Sequence, residues 1–429
     1  MTELLGVTRF EQVRNRFATI DTVLHSVAER RSDTVVLFTH PRSQTNLAAY
    51  PLPDLAARGI DGLAFNNRFT NSPAGTDVAT VFEEFALDVA AAVRHARDLG
   101  YANVLLMGWS AGGPVMAFYQ NVAEHGNRAI SPDALSRFPG FFDDGGQALE
   151  LPPADGLILR SVTIGTAASF LFRLDGSVTD EDSVRIDPTL DMYDPRNGFD
   201  PASGTASYDP NFLARYFRAQ AERMMRLIDR SQVRLAAIEA GRGRFSDDDF
   251  VVVPRTRANP LNADGSLACA TREPHVLHPS GERQIIRDTR PLSGDGSLNN
   301  RASGAAVHKI RAMLSYRLTR VYPERFDPFA VSAADSGIDL ASTNNSTPTN
   351  LAGVSVPLLF VQGTGDESNS VKLPSAELNF KAAASRMKDL LFIEGADHAL
   401  RPVDPKYGDT RSVGARVIAD WIGERFEDS

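Results

Sequence analysis

The sequence predicts an α/β fold in which a doubly wound, mostly parallel sheet carries a large, mainly helical insertion. Short, continuously apolar runs alternate with amphipathic helical patterns, as is typical of strands buried on both faces. About 190 residues separate Ile164 from Val356, far more than an ordinary loop, so this segment must fold as a structure of its own. We therefore divide the chain into a core of residues 1–165 and 356–429 and an insertion of residues 166–355.

The predicted core elements follow one another in the order expected of such a sheet. An apolar stripe from Val78 to Leu99, with steps of three and four residues, predicts a helix that Gly100 ends. A similar stripe from Val413 to Phe426 predicts a terminal helix packed on the sheet. Right-handed crossovers are expected between parallel strands. The predicted strands are Thr34–Thr39, Gly62–Asn66, Val104–Leu106, Gly156–Ile164, Pro357–Gln362 and Leu390–Ile393.

One long helix dominates the predicted insertion. It runs from about Pro210 to Glu239, with Asp209 as its cap and Gly241 as its stop. Its methionines and aromatic residues could line a substrate cavity, but packing within the insertion is the favoured interpretation. Its arginines could bind a substrate carboxylate, yet a solvated face with local ion pairs is favoured.

The remaining insertion elements are less regular. A second helix is predicted over Ala305–Val321, and two short strands, Phe250–Val253 and Arg283–Arg287, could pair as a small sheet. The tract Ser332–Asn350 is rich in small polar residues. It is interpreted as a mobile connection back to the core, or as a hinge.

Ser110 lies in the motif Gly-Trp-Ser-Ala-Gly between a predicted strand and a predicted helix. Gly108 and Gly112 remove side chains that would collide across so tight a turn. The serine hydroxyl would then project above the sheet edge, where the free N–H groups of the following helix favour negative charge. By itself the motif is weak, and a plain glycine-rich turn is the alternative; the strand before it and the helix after it favour a nucleophile.

The segment Met107–Gly113 resembles the nucleophile elbow of the α/β-hydrolase fold. That resemblance implies a triad in the chain order serine, acid, histidine. Asp366 follows the strand Pro357–Gln362, and His398 follows the strand Leu390–Ile393 in a loop similar to the family's histidine loop. We therefore predict Ser110 as nucleophile, Asp366 as acid and His398 as general base.

Two other carboxylates and another pair of histidines are alternatives to these roles. Asp397 adjoins His398, and neighbours in one loop seldom point at each other; Glu367 lies one step past the turn. Both rank below Asp366. His275 and His278 could form a metal pair, but no cysteine or carboxylate cluster surrounds them in sequence. No metal and no cofactor is predicted.

The resemblance also implies an oxyanion hole with two backbone donors. One is the N–H of Ala111, after the nucleophile. The other should follow the strand Thr34–Thr39, where relatives commonly carry glycine and this chain has Pro41, which has no N–H. By position, the second donor is predicted to be Arg42, or failing that Ser43.

Composition agrees with a large enzyme and excludes several other classes. The net charge of −9 gives no basic excess for neutralising phosphates, so nucleic acid is not a predicted partner. Neither a signal-peptide pattern nor eighteen consecutive apolar residues occur in the sequence, and Cys269 is its only cysteine. These observations favour a cytoplasmic location. They do not indicate an oligomeric state.

The predicted function is hydrolysis of a carboxylic ester of a fairly hydrophobic small molecule. An insertion before the acid's strand is expected, from the resemblance, to form a cap over the nucleophile. An amidase, thioesterase or acyltransferase would use the same three side chains, so these activities remain alternatives. A non-catalytic binding protein on the same fold is a further alternative, and it would predict a damaged triad.

Overall fold

The computed structural model describes most of the chain. The described residues are 9–13, 18–27, 32–41, 45–47, 49–68, 70, 79–136, 151–267, 269–287, 304–330, 332–366 and 373–426.

The described residues contain both short and long regular elements. The strands are β1 (Arg9–Val13), β2 (Ala18–His25), β3 (Thr34–Thr39), β4 (Asp61–Phe65), β5 (Asn103–Trp109), β6 (Gly156–Arg160), β7 (Val178–Asp180), β8 (Arg185–Ile186), β9 (Phe199–Asp200), β10 (Thr205–Ala206), β11 (Phe250–Pro254), β12 (His275–His278), β13 (Glu282–Gln284), β14 (Ala305–Lys309), β15 (Leu358–Gly363) and β16 (Lys388–Ile393). The helices are α1 (Leu52–Ala56), α2 (Phe85–Asp98), α3 (Gly112–His125), α4 (Thr166–Leu171), α5 (Pro210–Glu239), α6 (Pro260–Ala263), α7 (Ile310–Tyr316), α8 (Thr347–Leu351), α9 (Leu373–Ala382) and α10 (Thr410–Phe426).

A ten-stranded sheet forms the centre of the molecule, with the strand order β1-β2-β4-β3-β5-β6-β15-β16-β12-β13. The seven strands from β4 to β12 in this order are parallel to one another. Antiparallel strands extend both ends of the sheet. The order places β15 and β16 beside β6, although the whole insertion separates them in sequence. This sheet confirms the predicted doubly wound, mostly parallel α/β fold.

Both faces of the sheet are covered, which explains why its strands are continuously apolar. Along β5, Val104 and Leu106 pack into one core cluster, and Leu105 and Met107 pack into the cluster on the opposite face. Helices α2, α3, α8 and α9 contribute to the first cluster, and α1 and α10 to the second. Successive strand residues point to opposite faces, so each core receives alternate residues.

The sheet is wider than the sequence analysis predicted. Strands β1 and β2 were not identified, although Ile20, Thr22 and Leu24 recur at alternate positions in β2. His275 and His278 were placed in a loop, whereas they begin and end β12, which pairs in parallel with β16. Strand β13 then pairs with β12 and ends the sheet. Parts of the insertion therefore belong to the central sheet.

The insertion also has a hydrophobic cluster of its own, organised around α5. The predicted bounds of α5 are confirmed, and the side chain of Asp209 accepts hydrogen bonds from the N–H groups of Asn211 and Phe212. The aromatic residues and Met224 of α5 are buried in this cluster, as the packing interpretation predicted. Most α5 arginines are exposed or ion-paired locally. Arg223 differs, because it is fully buried against Glu181 at 2.6 Å.

Two predictions for the insertion were wrong. The helix predicted over Ala305–Val321 is a strand, β14, followed by the short helix α7. The partner of β11 is β14 rather than residues 283–287. Antiparallel pairing with β11 satisfies the backbone groups of 305–309, and this long-range contact overrides the local helical pattern. Residues 282–284 pair with β12 instead.

The tract Ser332–Asn350 was predicted to be a mobile connection, and its second half is instead buried. Asn344, Asn345 and Asn350 are each at most 5% exposed. Asn344 donates to the buried carboxylate of Glu83 at 2.8 Å, and Asn345 donates to the carbonyl of Ser315 at 2.7 Å. Small polar residues therefore connect the core to α7 through buried hydrogen bonds, a role that composition alone does not reveal.

A buried ion pair joins the segment after β4 to helix α2. Arg68 contacts Asp88 on α2 at 2.9 Å, with the side chains 8% and 0% exposed, and also contacts Glu84 at 3.4 Å.

Within the described ranges, no helix is long and apolar enough to cross a membrane.

Replacing Asp88 with alanine is expected to lower the free energy of unfolding by about 3–5 kcal/mol, because it leaves the buried charge of Arg68 without its main partner. Urea unfolding measures this loss. Asp98→Ala at the exposed end of the same helix is the control, expected to change stability by about 0.5 kcal/mol or less. Equal unfolding midpoints for the two variants would contradict the prediction.

Candidate active site

Ser110 lies directly after β5, on the turn that leads into α3. Its φ of 52° is in the left-handed region, which is unusual for a residue other than glycine. Its N–H donates to the carbonyl of Arg160 at 3.1 Å, and its own carbonyl accepts from Gly113 at 3.1 Å. These bonds hold a strained backbone at the carboxyl edge of the sheet, as the predicted strand–turn–helix arrangement requires.

Glycines make this turn sterically possible. A Cβ at Gly108 would lie 2.7 Å from the Cα of Gly113, and one at Gly112 would lie 2.8 Å from the carbonyl oxygen of Thr39. A Cβ at Gly113 would overlap the side chain of Val162. The close approach of β3, β5 and the start of α3 therefore excludes side chains at these positions, as predicted for Gly108 and Gly112.

The surroundings of the predicted oxyanion hole are partly described. Ala111 directly precedes the first residue of α3, where helix N–H groups lack intrahelical acceptors. On the β3 side, the carbonyl of His40 accepts from Asn46 at 3.0 Å and from Asn67 at 2.9 Å, which anchors the start of the loop. The predicted donor Arg42 and its alternative Ser43 lie outside the described residues. The second donor therefore stays a prediction.

Asp366 and His398 are in direct contact. Asp366 follows β15, and its carboxylate oxygens lie 3.0 and 3.1 Å from Nδ1 of His398. The Asp366 side chain is 2% exposed and the His398 side chain is 17% exposed. Gln362 on β15 donates from Nε2 to Asp366 at 3.0 Å. A buried carboxylate held in this way can orient the imidazole and leave its Nε2 for proton transfer.

The rival carboxylate Asp397 is engaged elsewhere. It accepts from the backbone N–H groups of Ala399 at 2.8 Å and Arg401 at 2.7 Å, and from Nε of Arg401 at 2.9 Å. These bonds shape the histidine loop itself. The other rival, Glu367, lies outside the described residues.

Trp109 connects the serine turn with the histidine loop. Its Nε1 donates to the carbonyl oxygen of His398 at 2.9 Å, and the two rings are 5.3 Å apart at their centroids. Because Trp109 directly precedes Ser110, this contact places His398 next to the strand that carries the serine. Ser110, Asp366 and His398 thus follow β5, β15 and β16, whose carboxyl ends meet at one edge of the sheet.

The arrangement includes residues that the sequence analysis missed. Gln362 was assigned only to a predicted strand and Trp109 was given no role, because their partners are distant in sequence. Arg160 contributes its carbonyl to the Ser110 turn, and its guanidinium lies 5.1 Å from the Trp109 ring centroid. A polar residue such as Gln362 in an otherwise apolar strand was the one local signal available.

The alternative metal pair has a different setting. His275 is buried, and its Nε2 lies 2.9 Å from the carboxylate of Glu377 on α9. Burial lowers the pKa of His278, at the other end of β12. Across the described part of the chain, no three His, Cys, Asp or Glu side chains are grouped as a metal site would need.

The Gly363→Ala variant is expected to displace the histidine loop. A Cβ at Gly363 would overlap the carbonyl oxygen of Ala396 and lie 2.8 Å from that of Asp397, and backbone atoms cannot yield without moving the loop. We expect the free energy of unfolding to fall by about 1–3 kcal/mol. Any activity that depends on His398 should fall as well. Thermal unfolding and ester hydrolysis measure the two effects. Unchanged stability and activity would contradict the prediction, because the loop would then accommodate the added Cβ without being displaced.

Comparison with known proteins gives structural similarities only. No protein-family model matches the sequence, and no curated protein matches it. Monoglyceride lipase from Saccharomyces cerevisiae, solved with a substrate analogue, is 11% identical, with a TM-score of 0.45 over 98% of this chain and 97% of that chain. The α/β hydrolase GrgF from Penicillium sp. sh18 is 12% identical, with a TM-score of 0.48 over 99% and 100%. Monoacylglycerol lipase from Paleococcus ferrophilus is 12% identical, with a TM-score of 0.42 over 94% and 98%. Identities of this size do not indicate a substrate.

Proposed function

We propose that this chain, which has the α/β-hydrolase fold, is a serine hydrolase that cleaves a carboxylic ester of a fairly hydrophobic small molecule. The observation that carries the proposal is the contact of the buried Asp366 with Nδ1 of His398, at the same sheet edge as the strained turn of Ser110. A buried acid holding a histidine beside a serine on a helix N-terminus is the arrangement that activates a hydroxyl.

In the proposed reaction, the Ser110 hydroxyl attacks the ester carbonyl while Nε2 of His398 takes its proton. Asp366 stabilises the resulting imidazolium. The N–H groups of Ala111 and Arg42 bind the oxyanion, and His398 then protonates the departing alcohol. A water molecule activated by the same histidine cleaves the acyl-enzyme and releases the acid. Every step uses side chains and backbone groups of this chain.

We further propose that the insertion, residues 166–355, caps the site and shapes its acyl and leaving-group pockets. Its first helix, α4, starts six residues after β6 ends, and β6 is the neighbour of the strand that precedes Ser110. Its contacts with the core are specific, since Ser315 and Asn344 both donate to Glu83. These features support a cap that is hydrogen-bonded to the core next to α2.

Labelling with a fluorophosphonate probe tests the proposed function. The native chain is expected to be labelled and Ser110→Ala is not, because only an activated serine reacts. Ser161→Ala is a matched control, since Ser161 also has a positive φ of 48° at the end of the neighbouring strand, and it should still be labelled. Labelling of both native chain and Ser110→Ala, or of neither, would refute an activated Ser110.

A panel of p-nitrophenyl esters, thioesters and anilides of increasing acyl length then separates the alternative activities. Faster turnover of esters than of anilides supports an esterase. A preference for longer acyl chains supports a hydrophobic acyl pocket.

A further inference from the structure

Trp109 belongs to a row of stacked side chains that reaches His398. The ring centroids of Trp109 and His398 are 5.3 Å apart, with 39° between the ring planes, and those of Trp109 and His40 are 5.1 Å apart. The guanidinium of Arg160 lies 5.1 Å from the Trp109 centroid and 5.0 Å from the Tyr50 centroid. These five side chains form the Trp109 stack. Apart from Tyr50, its members lie at or after the carboxyl ends of β3, β5, β6 and β16.

Helix α10 anchors the stack at the Tyr50 end. The guanidinium of Arg411 on α10 lies 4.1 Å from the Tyr50 ring centroid, and the carbonyl of Arg411 accepts from the Tyr50 hydroxyl at 2.6 Å. Burial raises the pKa of Tyr50 to about 12, so this hydroxyl remains a donor at neutral pH. Cations within about 6 Å of a ring centroid are attracted to the ring. Arg160, which is 2% exposed, therefore links Tyr50 to Trp109.

Trp109 contacts His398 through two different groups. Its indole N–H donates to the carbonyl oxygen of His398 at 2.9 Å, which fixes the main chain of the histidine loop. Its ring packs on the imidazole, which restricts rotation of the His398 side chain. Asp366 fixes the same imidazole at Nδ1, at 3.0 Å. A ring held at one nitrogen can still pivot, so the indole adds a restraint that Asp366 does not supply.

This restraint matters because proton transfer depends on distance. A misplacement of about 1 Å in an active site can lower the rate by about 10²-fold. Trp109 and Ser110 are consecutive residues, so the backbone of the serine turn limits how far the indole can move relative to Ser110. The two contacts of the indole therefore tie the position of the imidazole to that of the serine.

We propose that Trp109 is a positioning residue, which holds the imidazole of His398 within reach of the Ser110 hydroxyl. This inference rests on the proposed function, in which His398 takes the proton of that hydroxyl. Trp109 acts through His398 and is not itself a catalytic residue. Its contribution therefore belongs to kcat, and the KM for a small ester should be almost unchanged.

Two substitutions separate the hydrogen bond from the ring contact. Trp109→Phe loses the indole N–H and keeps an aromatic ring, and we expect kcat for p-nitrophenyl butyrate to fall about tenfold. Trp109→Leu loses both contacts and should lower kcat about 100-fold, with KM within about twofold of native in both variants. A purely structural role would instead lower the folded fraction, which urea unfolding measures, and leave kcat per folded molecule unchanged.

Trp421→Phe is the matched control for these variants. Trp421 on α10 is 4% exposed, and its Nε1 donates to the carboxylate of Asp389 at 3.0 Å. Asp389 lies near the amino end of β16, whereas His398 follows the carboxyl end of that strand. The substitution thus removes the same kind of bonded indole N–H outside the candidate site, and kcat should equal the native value. An equal loss of kcat in Trp421→Phe and Trp109→Phe would overturn the proposal.

Fluorescence tests the contact without requiring hydrolysis. The sequence has two tryptophans, so Trp109 is the only one left in Trp421→Phe. A protonated imidazole in contact with an indole quenches the indole emission. Acidification should therefore reduce the emission of Trp421→Phe more than that of the double variant that also carries His398→Ala and still has His40. Equal quenching in the two chains would overturn the proposal.

Failure of this proposal is distinguishable from failure of the proposed function. If the native chain hydrolyses esters and Trp109→Leu has the same kcat, the positioning role is overturned and the proposed function stands. If the native chain is neither labelled by the fluorophosphonate probe nor active on esters, the proposed function fails, and the role of Trp109 fails with it. If Trp109→Leu does not fold, the loss of kcat expected in Trp109→Phe decides.

Discussion

The His398→Ala variant is expected to lose about 10⁶-fold in kcat for ester hydrolysis, the order seen when the general base of a serine triad is removed. Without the imidazole, the Ser110 hydroxyl has no group to take its proton during attack, and the leaving alcohol has no proton donor. Steady-state hydrolysis of p-nitrophenyl butyrate measures the loss. Substrate binding should change little, because the imidazole acts on the reacting atoms.

His278→Ala is the matched control for this prediction. His278 ends β12, the strand next to β16, so it also lies at the carboxyl edge of the sheet. Among the residues that the structure describes, no hydrogen bond or ion pair joins His278 to Asp366 or Trp109, so kcat should stay within a few fold of the native value. If His398→Ala kept most of its activity, or if the two variants lost activity equally, His398 would not be the general base.

The Asp366→Asn variant is expected to lower kcat by about 10⁴-fold. Gln362 donates to one carboxylate oxygen of Asp366, so the amide oxygen of an asparagine would turn to Gln362 and its NH₂ group would face His398. Nδ1 of His398 would then have to accept a hydrogen bond. That tautomer protonates Nε2, which could no longer take the proton of the serine.

Asp397→Asn separates this effect from a general disturbance of the loop. The asparagine keeps an oxygen for the N–H groups of Ala399 and Arg401. It loses the charge and the acceptor oxygen opposite the exposed Arg401 side chain, and such an exposed ion pair contributes little. Activity should remain within a few fold of native. A larger loss of kcat in Asp397→Asn than in Asp366→Asn would indicate that Asp397, and not Asp366, is the acid that orients His398.

Local patterns were enough to predict most of the core. The apolar runs of β3, β5, β15 and β16 are short, uninterrupted and bounded by turn residues. Their length and their continuous apolar character therefore identify them as buried strands. The cap and stop of α5 are equally local, since Asp209 and Gly241 act on adjacent backbone groups. These elements lie where the sequence analysis placed them, to within a few residues.

Elements that depend on distant partners were not predictable in the same way. Residues 305–309 have a helical pattern, yet they form β14 because β11 offers backbone partners to them. β12 is only four residues long and gains its place in the sheet from β16, which follows it by more than a hundred residues. The sequence analysis assigned the asparagines near α8 to a mobile connection, because the buried acceptors of their hydrogen bonds lie in other parts of the chain.

By itself the sequence determined that Ser110 lies on a tight turn between a strand and a helix, and that an acid and a histidine each follow a later strand. Those are local properties, set by glycines and by apolar periodicity. Only the tertiary structure decided that Asp366, rather than Asp397, contacts His398, and that Trp109 joins the two loops. The physical reason is that side-chain contacts across a parallel sheet depend on strand order, and long-range pairing sets that order.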